Sequence, residues 1–468
     1  RLRGPDQPRE RTPPADPAPR REVNVSKQYL SVAFAYVGVI VGAGLASGQD
    51  LLQYFLAFGA KGLIGIVALG VLNVIFGVVA LQLGSYFRSD NHDEVFERIT
   101  HPVLRRVIDV VLIFSAFTMG FVMLAGAGAN LQQQFGVPTW AGSLLCALLV
   151  ILTAFLDFDR IMNVIGVFTP IIMIAIAVLT IYSLVTPHAG IAELNAAARN
   201  VTPALPNLWL ATINYFALCV VGGIAMAFVL GGSILRIGEA RRAGRIGGVL
   251  IALVLGADAL ALYLNVDRIW DVNVPALEIA RSIHPLFAFG YTLVIFALIY
   301  NTAFSLFYST ARRFSGGSTS RMRLVLIGVV AAGYAASFMG FKKLIGIMYP
   351  VIGWLGVVLL IILAAGWLRE RSAVLREENL RRKLIRVLVR KHADDLEFTD
   401  EDRLEARTLA RASVVDGVEL RRDASSAAEE IVDAQDDAAA YARTQLPVDE
   451  DLVAQQIAEA LPDSTESK

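Results

Sequence analysis

The feature that most constrains this chain is a series of uncharged apolar blocks, each long enough to cross a bilayer. Leu63 to Leu83 contains no charged residue, and neither does Leu112 to Thr153. A helix gains about 1.5 Å per residue, so roughly twenty apolar residues span a ~30 Å hydrocarbon core. The 55% hydrophobic content and the mean hydropathy of +0.56 are in keeping with such blocks and not with the core helices of a water-soluble domain. Ten spans are expected, near 27–58 (long and interrupted), 61–87, 104–135, 138–157, 161–186, 208–235, 244–265, 286–311, 321–340 and 343–367. The expected fold class is therefore all-α integral membrane, with about ten transmembrane helices, and the lipid bilayer is the first partner.

Charge and motif content remove several classes of function. No basic stripe interleaved with aromatics exists, so no nucleic-acid partner is expected. The two cysteines, Cys146 and Cys219, both sit in apolar blocks with no metal-ligand spacing around them. The histidines are scattered, and HExxH, CxxC and GxxxxGK[ST] are all missing from the sequence. An enzyme is not expected, because no Ser/His, Cys/His or metal constellation lies within the spans. A channel has no filter-like repeat or charged ring to support it.

Basic loop residues give an orientation. One set of loops carries Arg88, Arg98, Arg105, Arg106, Arg160, Arg236, Arg241, Arg242, Arg245, Arg312, Arg313, Arg321 and Arg323, against Lys61, Arg199, Arg268, Arg281, Lys342 and Lys343 in the other. The rich set shares its side with the Pro/Arg-rich N-terminal arm (1–25, expected to be disordered, with no cleavable signal) and with the tail (369–468). Both termini are expected in the cytoplasm of a multi-pass protein of the cell membrane, which needs an even number of spans. From Arg369 to Lys391 the tail is strongly basic, with a helical apolar stripe of Leu375, Leu380, Leu384, Ile385 and Leu388. That pattern suits either an amphipathic helix on the anionic inner leaflet or a solvated helix continuing out of the last span. Thr399-Asp-Glu-Asp402 has the form of a capping box that opens another helix. The tail is expected to be partly helical, and it is a candidate docking site for a cytoplasmic partner.

The spans divide into two halves, about 27–186 and 208–367, within a membrane domain of 26–368. Each half opens on a glycine-interrupted span: Gly38, Gly42, Gly44, Ser47 and Gly48 in the first, and Cys219-Val-Val-Gly222-Gly223 in the sixth. Five spans per half give opposite topologies, so the halves form a five-plus-five inverted repeat with helices 1 and 6 broken. Broken helices at matching places of inverted repeats mark the binding site of many transporters. Their freed backbone groups are tolerated at membrane depth only where they are buried or line a polar cavity. The blander account of the same glycines is close helix packing, since Gly38-xxx-Gly42 and Gly44-xxx-Gly48 are both GxxxG patterns.

At this motif the chain resembles a known family. Val41-Gly-Ala-Gly-Leu-Ala-Ser-Gly-Gln-Asp50 is similar to the GAGFASGQE signature of the uncharacterised bacterial YkvI-type membrane proteins. These in turn resemble the amino acid–polyamine–cation superfamily, with the inverted-repeat fold of the sodium-coupled leucine transporter. The resemblance covers about 26–368. It implies a candidate sodium site with Gly38 and Val41 carbonyls next to Gly42 and Gly44, and with hydroxyls from the eighth span. There Thr302 matches, the next residue is Ala303 where the family pattern has a second hydroxyl, and Ser305 lies one turn away. Leu45 stands where the leucine transporter has an Asn for a second sodium, so a second site is not expected. No other cofactor is implied.

Several polar residues within the spans complete the candidates. Asp258 lies in the otherwise apolar Gly247–Leu264 and is either a proton-coupling carboxylate or an outer-end residue paired with Arg268 or Lys342. Gln49 and Asp50 follow the first break and would meet a cationic or amino group, or else Asp50 caps the next helix piece. Gly42, Ala43, Gly44, Ser47, Thr118, Cys219, Gly222 and Gly223 are the remaining candidates for lining a solute pocket. Asn301, Thr302 and Asn163 have interhelical hydrogen bonding as their simpler role. The function expected is secondary transport of a small solute, such as an amino acid or related amine, by alternating access with sodium or proton coupling. The alternative is a membrane receptor or scaffold that keeps this fold and signals through its tail.

Overall fold

The computed structural model describes residues 25–88, 95, 96, 98, 101–155, 168–186, 189–393, 396–435 and 437–461. The expectations for the N-terminal arm and for Asn163 fall outside these. Every regular element among the described residues is helical.

The first span is three helical pieces, α1 (Val25–Ile40), α2 (Ala43–Ser47) and α3 (Gln49–Tyr54). The first half continues with α4 (Lys61–Phe87), α5 (Pro102–Phe135), α6 (Thr139–Thr153) and α7 (Phe168–Val185), then a short α8 (Ile191–Ala198). The second half holds α9 (Leu208–Gly232), α10 (Ile237–Leu264), the short α11 (Val266–Ile269) and α12 (Pro275–Ile283), α13 (Pro285–Phe314), α14 (Thr319–Ser337) and α15 (Phe341–His392). Among the described residues six helices, α4, α5, α9, α10, α13 and α15, are long and apolar enough to cross a bilayer by themselves, against the ten spans expected. The expected spans near 27–58, 138–157, 161–186 and 321–340 hold helices that are shorter, interrupted or less apolar among the described residues. Large apolar side chains such as Ile64, Val67, Val71 and Ile75 line the outer face of α4, as a lipid-facing helix requires.

Two sets of helices pack internally. In one, α4 lies along α10 and α9, and α1 lies against α10 and α9; in the other, α5 packs on α13, α6 and α14. Small residues bring the first set close. A Cβ on Gly77 would stand 2.8 Å from the Gly244 carbonyl and 2.9 Å from the Tyr36 ring, and one on Gly70 would stand 2.7 Å from Ala252. Between helices in lipid, backbone approach of this kind supplies the packing that an apolar side chain cannot.

The sixth span differs from expectation. Instead of breaking at Gly222–Gly223, α9 is one helix from Leu208 to Gly232. Gly223 serves packing: a Cβ there would lie 2.7 Å from Ile40 Cδ1. The helix crosses the first span at its break without breaking itself.

The last span settles the choice left open for the basic segment. α15 runs unbroken from Phe341 to His392, so the helix continues out of the span. Four of the five stripe residues are covered by protein and not solvated: Leu380, Leu384, Ile385 and Leu388 form a second core with α16 (Asp400–Ala412), α17 (Gly417–Ala434), α18 (Ala438–Gln445) and α19 (Glu450–Ala460), while Leu375 stays exposed. Thr399 and Asp402 form the expected reciprocal capping box at the start of α16. The tail docks on the arginine-rich loops. Arg88 pairs with Asp423, Arg98 donates to the Val414 carbonyl, and Arg241 pairs with Glu378. At the centre of this contact Arg381, 1% exposed, pairs with Glu377 at 2.8 Å and donates to the Ser85, Tyr86 and Leu235 carbonyls. It thereby satisfies carbonyls at the ends of two spans that no further helical turn can reach.

Candidate functional site

The site is built on the break in the first span. The Gly42 N–H bonds the Ile40 carbonyl at 2.9 Å instead of turning to Gly38, the acceptor a continuing helix would use. Gly42 is extended, and a Cβ on it would meet nothing within 4 Å. Ala43 begins α2, and the Ala46 N–H resumes the helical pattern by donating to the Gly42 carbonyl at 3.3 Å. A second interruption follows at Gly48, whose φ of +74° is open to glycine at little cost. The Ser47 hydroxyl bridges this gap, donating to the Gly44 carbonyl at 2.7 Å and accepting from the Gln49 N–H at 3.3 Å. Ser47 is thus committed to the backbone.

Asp50 opens α3 fully inside the protein, not at its surface. Its carboxylate accepts from the Leu51 N–H at 2.9 Å and from the Tyr215 hydroxyl at 2.6 Å. Gly44 makes room for it, since a Cβ there would stand 2.9 Å from Asp50 Oδ2 and 3.8 Å from the Tyr349 hydroxyl. Asp258, on α10, is 0% exposed, and neither carboxylate oxygen has a hydrogen-bond partner among the described residues. Leu262, one turn further along α10, packs on Gly48, and Asp258 lies within electrostatic reach of Asp50 and Tyr291. The pairing with Arg268 or Lys342 does not occur: Arg268 lies 3.9 Å from Asp267, and Lys342 lies 3.2 Å from Asp271. An ionised carboxylate in such a place is costly unless a cationic group sits beside it.

The site spans the two helix sets. The Tyr291 hydroxyl, on α13 of the second set, donates to the Ala46 carbonyl of α2 at 3.0 Å. Gln49 is 0% exposed, and both its amide atoms are without a partner among the described residues. Thr118 is buried on α5 with its hydroxyl also without a partner among the described residues, and so is Ser115 one turn before it. Met119 reaches within 3.6 Å of a Cβ placed on Gly222. Cys219 is half-buried within electrostatic reach of Asp50. The structure therefore brings Gly44, Gln49, Asp50, Cys219 and Asp258 to one neighbourhood, with Gly222 and Gly223 at the crossing of α9 with α1 and α5.

The eighth-span residues are placed differently. The Thr302 hydroxyl donates to the Leu298 carbonyl at 2.9 Å, and Ser305 is half-buried. No hydrogen bond among the described residues joins either to Gly38 or Val41.

Sequence reasoning did not find Tyr215, Tyr291 or Tyr349. They come from three helices, so no spacing along the chain links them to Asp50. The only signal they carry is a hydroxyl on an otherwise apolar span.

The continuous α9 departs from the broken sixth helix that the leucine-transporter resemblance implies, but the interrupted first span and the meeting of two helix sets fit that fold. The comparisons agree. The chain resembles the crystal structure of MhsT in complex with L-phenylalanine, with a TM-score of 0.53 and 18% identity over 88% of this chain and 98% of that one. In sequence it is similar to the uncharacterized membrane protein YkvI of Bacillus subtilis (strain 168), 24% identical over 330 residues that cover 70% of this chain and 92% of the relative. It is also 25% identical to the uncharacterized protein YyaD of the same organism over 334 residues, 70% of this chain and 93% of that one. No family model matches. Both alignments use nearly all of each relative and leave 30% of this chain outside.

Proposed function

We propose that this protein is a secondary transporter for a small amine-bearing solute, such as an amino acid or a related amine, working by alternating access. The observation that carries the reading is the pair of buried carboxylates, Asp50 and Asp258, beside a helix break and without a basic side chain paired to either among the described residues. A cationic ammonium group satisfies that arrangement electrostatically. Asp50, fixed by Tyr215 and the Leu51 N–H, positions the charge. Gln49 and the backbone freed at Gly42 have donors and acceptors to spare for the solute's other polar groups. The site lies where the two helix sets meet, so rocking one set against the other opens it to alternate sides.

Sodium at this place would be held by the Gly38 and Val41 carbonyls and the Thr302 hydroxyl. Ala303 leaves that set a hydroxyl short, and Thr302 points its own proton at Leu298. The donor set does not suit sodium, and we read Asp258 as the proton-coupling group. The loop-charge bias supports a reading in which the tail and both termini lie in the cytoplasm of a cell-membrane protein.

Thermal-shift screening of the purified protein against amines and amino acids, with and without sodium, tests this. A shift that needs no sodium, survives Thr302→Ala and is lost in Asp50→Asn is expected. A shift that requires sodium and disappears in Thr302→Ala would restore the sodium site. No shift from any solute would remove the transporter reading and favour a scaffold that acts through its folded tail.

A further inference from the structure

We propose that the cleft between the α9–α10 loop and the tail is a binding site for a phosphate-class anion, and that the bound anion bridges the membrane domain and the tail. The cleft has a volume of about 190 Å³, larger than a single water needs, and it opens at the start of α10. Six arginines line it (Arg236, Arg241, Arg242, Arg245, Arg381 and Arg382) against two glutamates, Glu239 and Glu378. The glutamates are already engaged. Glu239 pairs with Arg236, and Glu378 pairs with both Arg241 and Arg382. Arg381 is held by Glu377 behind the cleft. Arg242 and Arg245 have no carboxylate within ion-pairing distance among the described residues. The lining therefore keeps an excess of positive charge that its own acids do not cancel.

A second observation points to a ligand. Arg236 is part of the cleft lining, its side chain is 10% exposed, and its buried Nε has no acceptor among the described residues. A buried guanidinium N–H without an acceptor is expensive, and a phosphate oxygen is the acceptor that guanidinium geometry fits best. The start of the 28-residue α10 adds the favourable end of its helix dipole. The tail contributes Arg382 and the Tyr441 ring region from the opposite wall. An anion seated here would touch both parts at once, so it would hold the tail down. None of this depends on the solute or on transport itself.

Two sources present this chemistry. The cleft lies within about three turns of the apolar Gly247–Leu264 stretch of α10, which brings lipid headgroups into consideration, and it is also open to dissolved phosphates. The test uses the purified full-length protein. One arm titrates inorganic pyrophosphate against sodium chloride at matched ionic strength. The other compares nanodiscs containing phosphatidylglycerol with nanodiscs of phosphatidylcholine. The readouts are the unfolding temperature and the rate of trypsin cleavage in the tail. At least one probe is expected to raise the former and slow the latter. In Arg242→Gln/Arg245→Gln, two exposed arginines outside the ion pairs, half-saturation is expected at roughly tenfold higher probe concentration. Arg407→Gln/Arg411→Gln, on α16 and outside the lining of this cleft, serves as the charge-matched control and should bind as the parent does. A response to phosphatidylglycerol alone assigns the site to a lipid headgroup, and a response to pyrophosphate assigns it to a soluble anion. Neither probe exceeding its control, or equal weakening by both double variants, would overturn the proposal.

Discussion

Tyr215 is the residue whose removal isolates the proposed role of Asp50. Its hydroxyl is the only side-chain donor to that carboxylate among the described residues, at 2.6 Å. Tyr215→Phe keeps the ring packed against Tyr54 and Phe55 and removes one charge-assisted hydrogen bond. Such a bond is worth about 1.5–3 kcal/mol, so solute binding is expected to weaken tenfold or more while the unfolding temperature changes little. Isothermal titration of the variant checks this, and unchanged affinity would detach Tyr215 from the site. A different residue governs acid sensitivity in the tail. The Thr399 backbone N–H, its hydroxyl and Arg390 hold the Asp402 carboxyl below its usual range against the opposing effect of burial. Because the folded value is the lower one, Asp402 contributes stability above the ordinary carboxyl range, and that contribution is lost as pH falls through the folded value. Hydrogen exchange in α16 is expected to speed up on acidification in the parent and much less so in Asp402→Asn. Asp50, Asp258 and the capping box were all legible in the sequence, because a carboxylate in an apolar run and a Thr-x-x-Asp spacing are local signals. The tyrosines were not, since their meaning depends on which helices meet.

At the scale of elements, glycine content was read correctly in one span and incorrectly in another, for a physical reason. In the first span Gly42 and Gly48 sit where the backbone leaves helical geometry. In the sixth, Gly222 and Gly223 stay within α9, and Gly223 lets Ile40 approach. Both uses leave the same residues in the sequence; only the partner helix distinguishes them. The long α15 shows a similar limit. Its apolar stripe suited a leaflet or a protein core equally well, and the tail helices that cover it decide the matter. The fixing point is Arg381. Replacing it with Ala leaves Glu377 buried without its cation and three carbonyl acceptors short of a donor. A cost of roughly 3–5 kcal/mol is expected, felt as loosened docking of the tail. Limited trypsin digestion should release tail fragments faster from Arg381→Ala than from the parent, and equal rates would show that the tail is held elsewhere.

For the whole molecule, the multi-pass helical membrane character was plain from apolar length, and the side shared by the tail and the arginine-rich loops from loop charge. The grouping of helices into two sets was not, because it is a property of packing between distant segments. That grouping places the broken span, Asp50 and Asp258 where one set meets the other through Tyr291 and Ala46. The central claim is that the two carboxylates at this junction carry a cationic solute across the membrane. Uptake of radiolabelled amines and amino acids into proteoliposomes, driven by an imposed proton gradient, tests it most directly. The prediction is gradient-dependent accumulation of at least one amine-bearing solute, abolished by Asp50→Asn and uncoupled from the gradient by Asp258→Asn. No gradient-dependent accumulation across the panel, or accumulation indifferent to both substitutions, would contradict it.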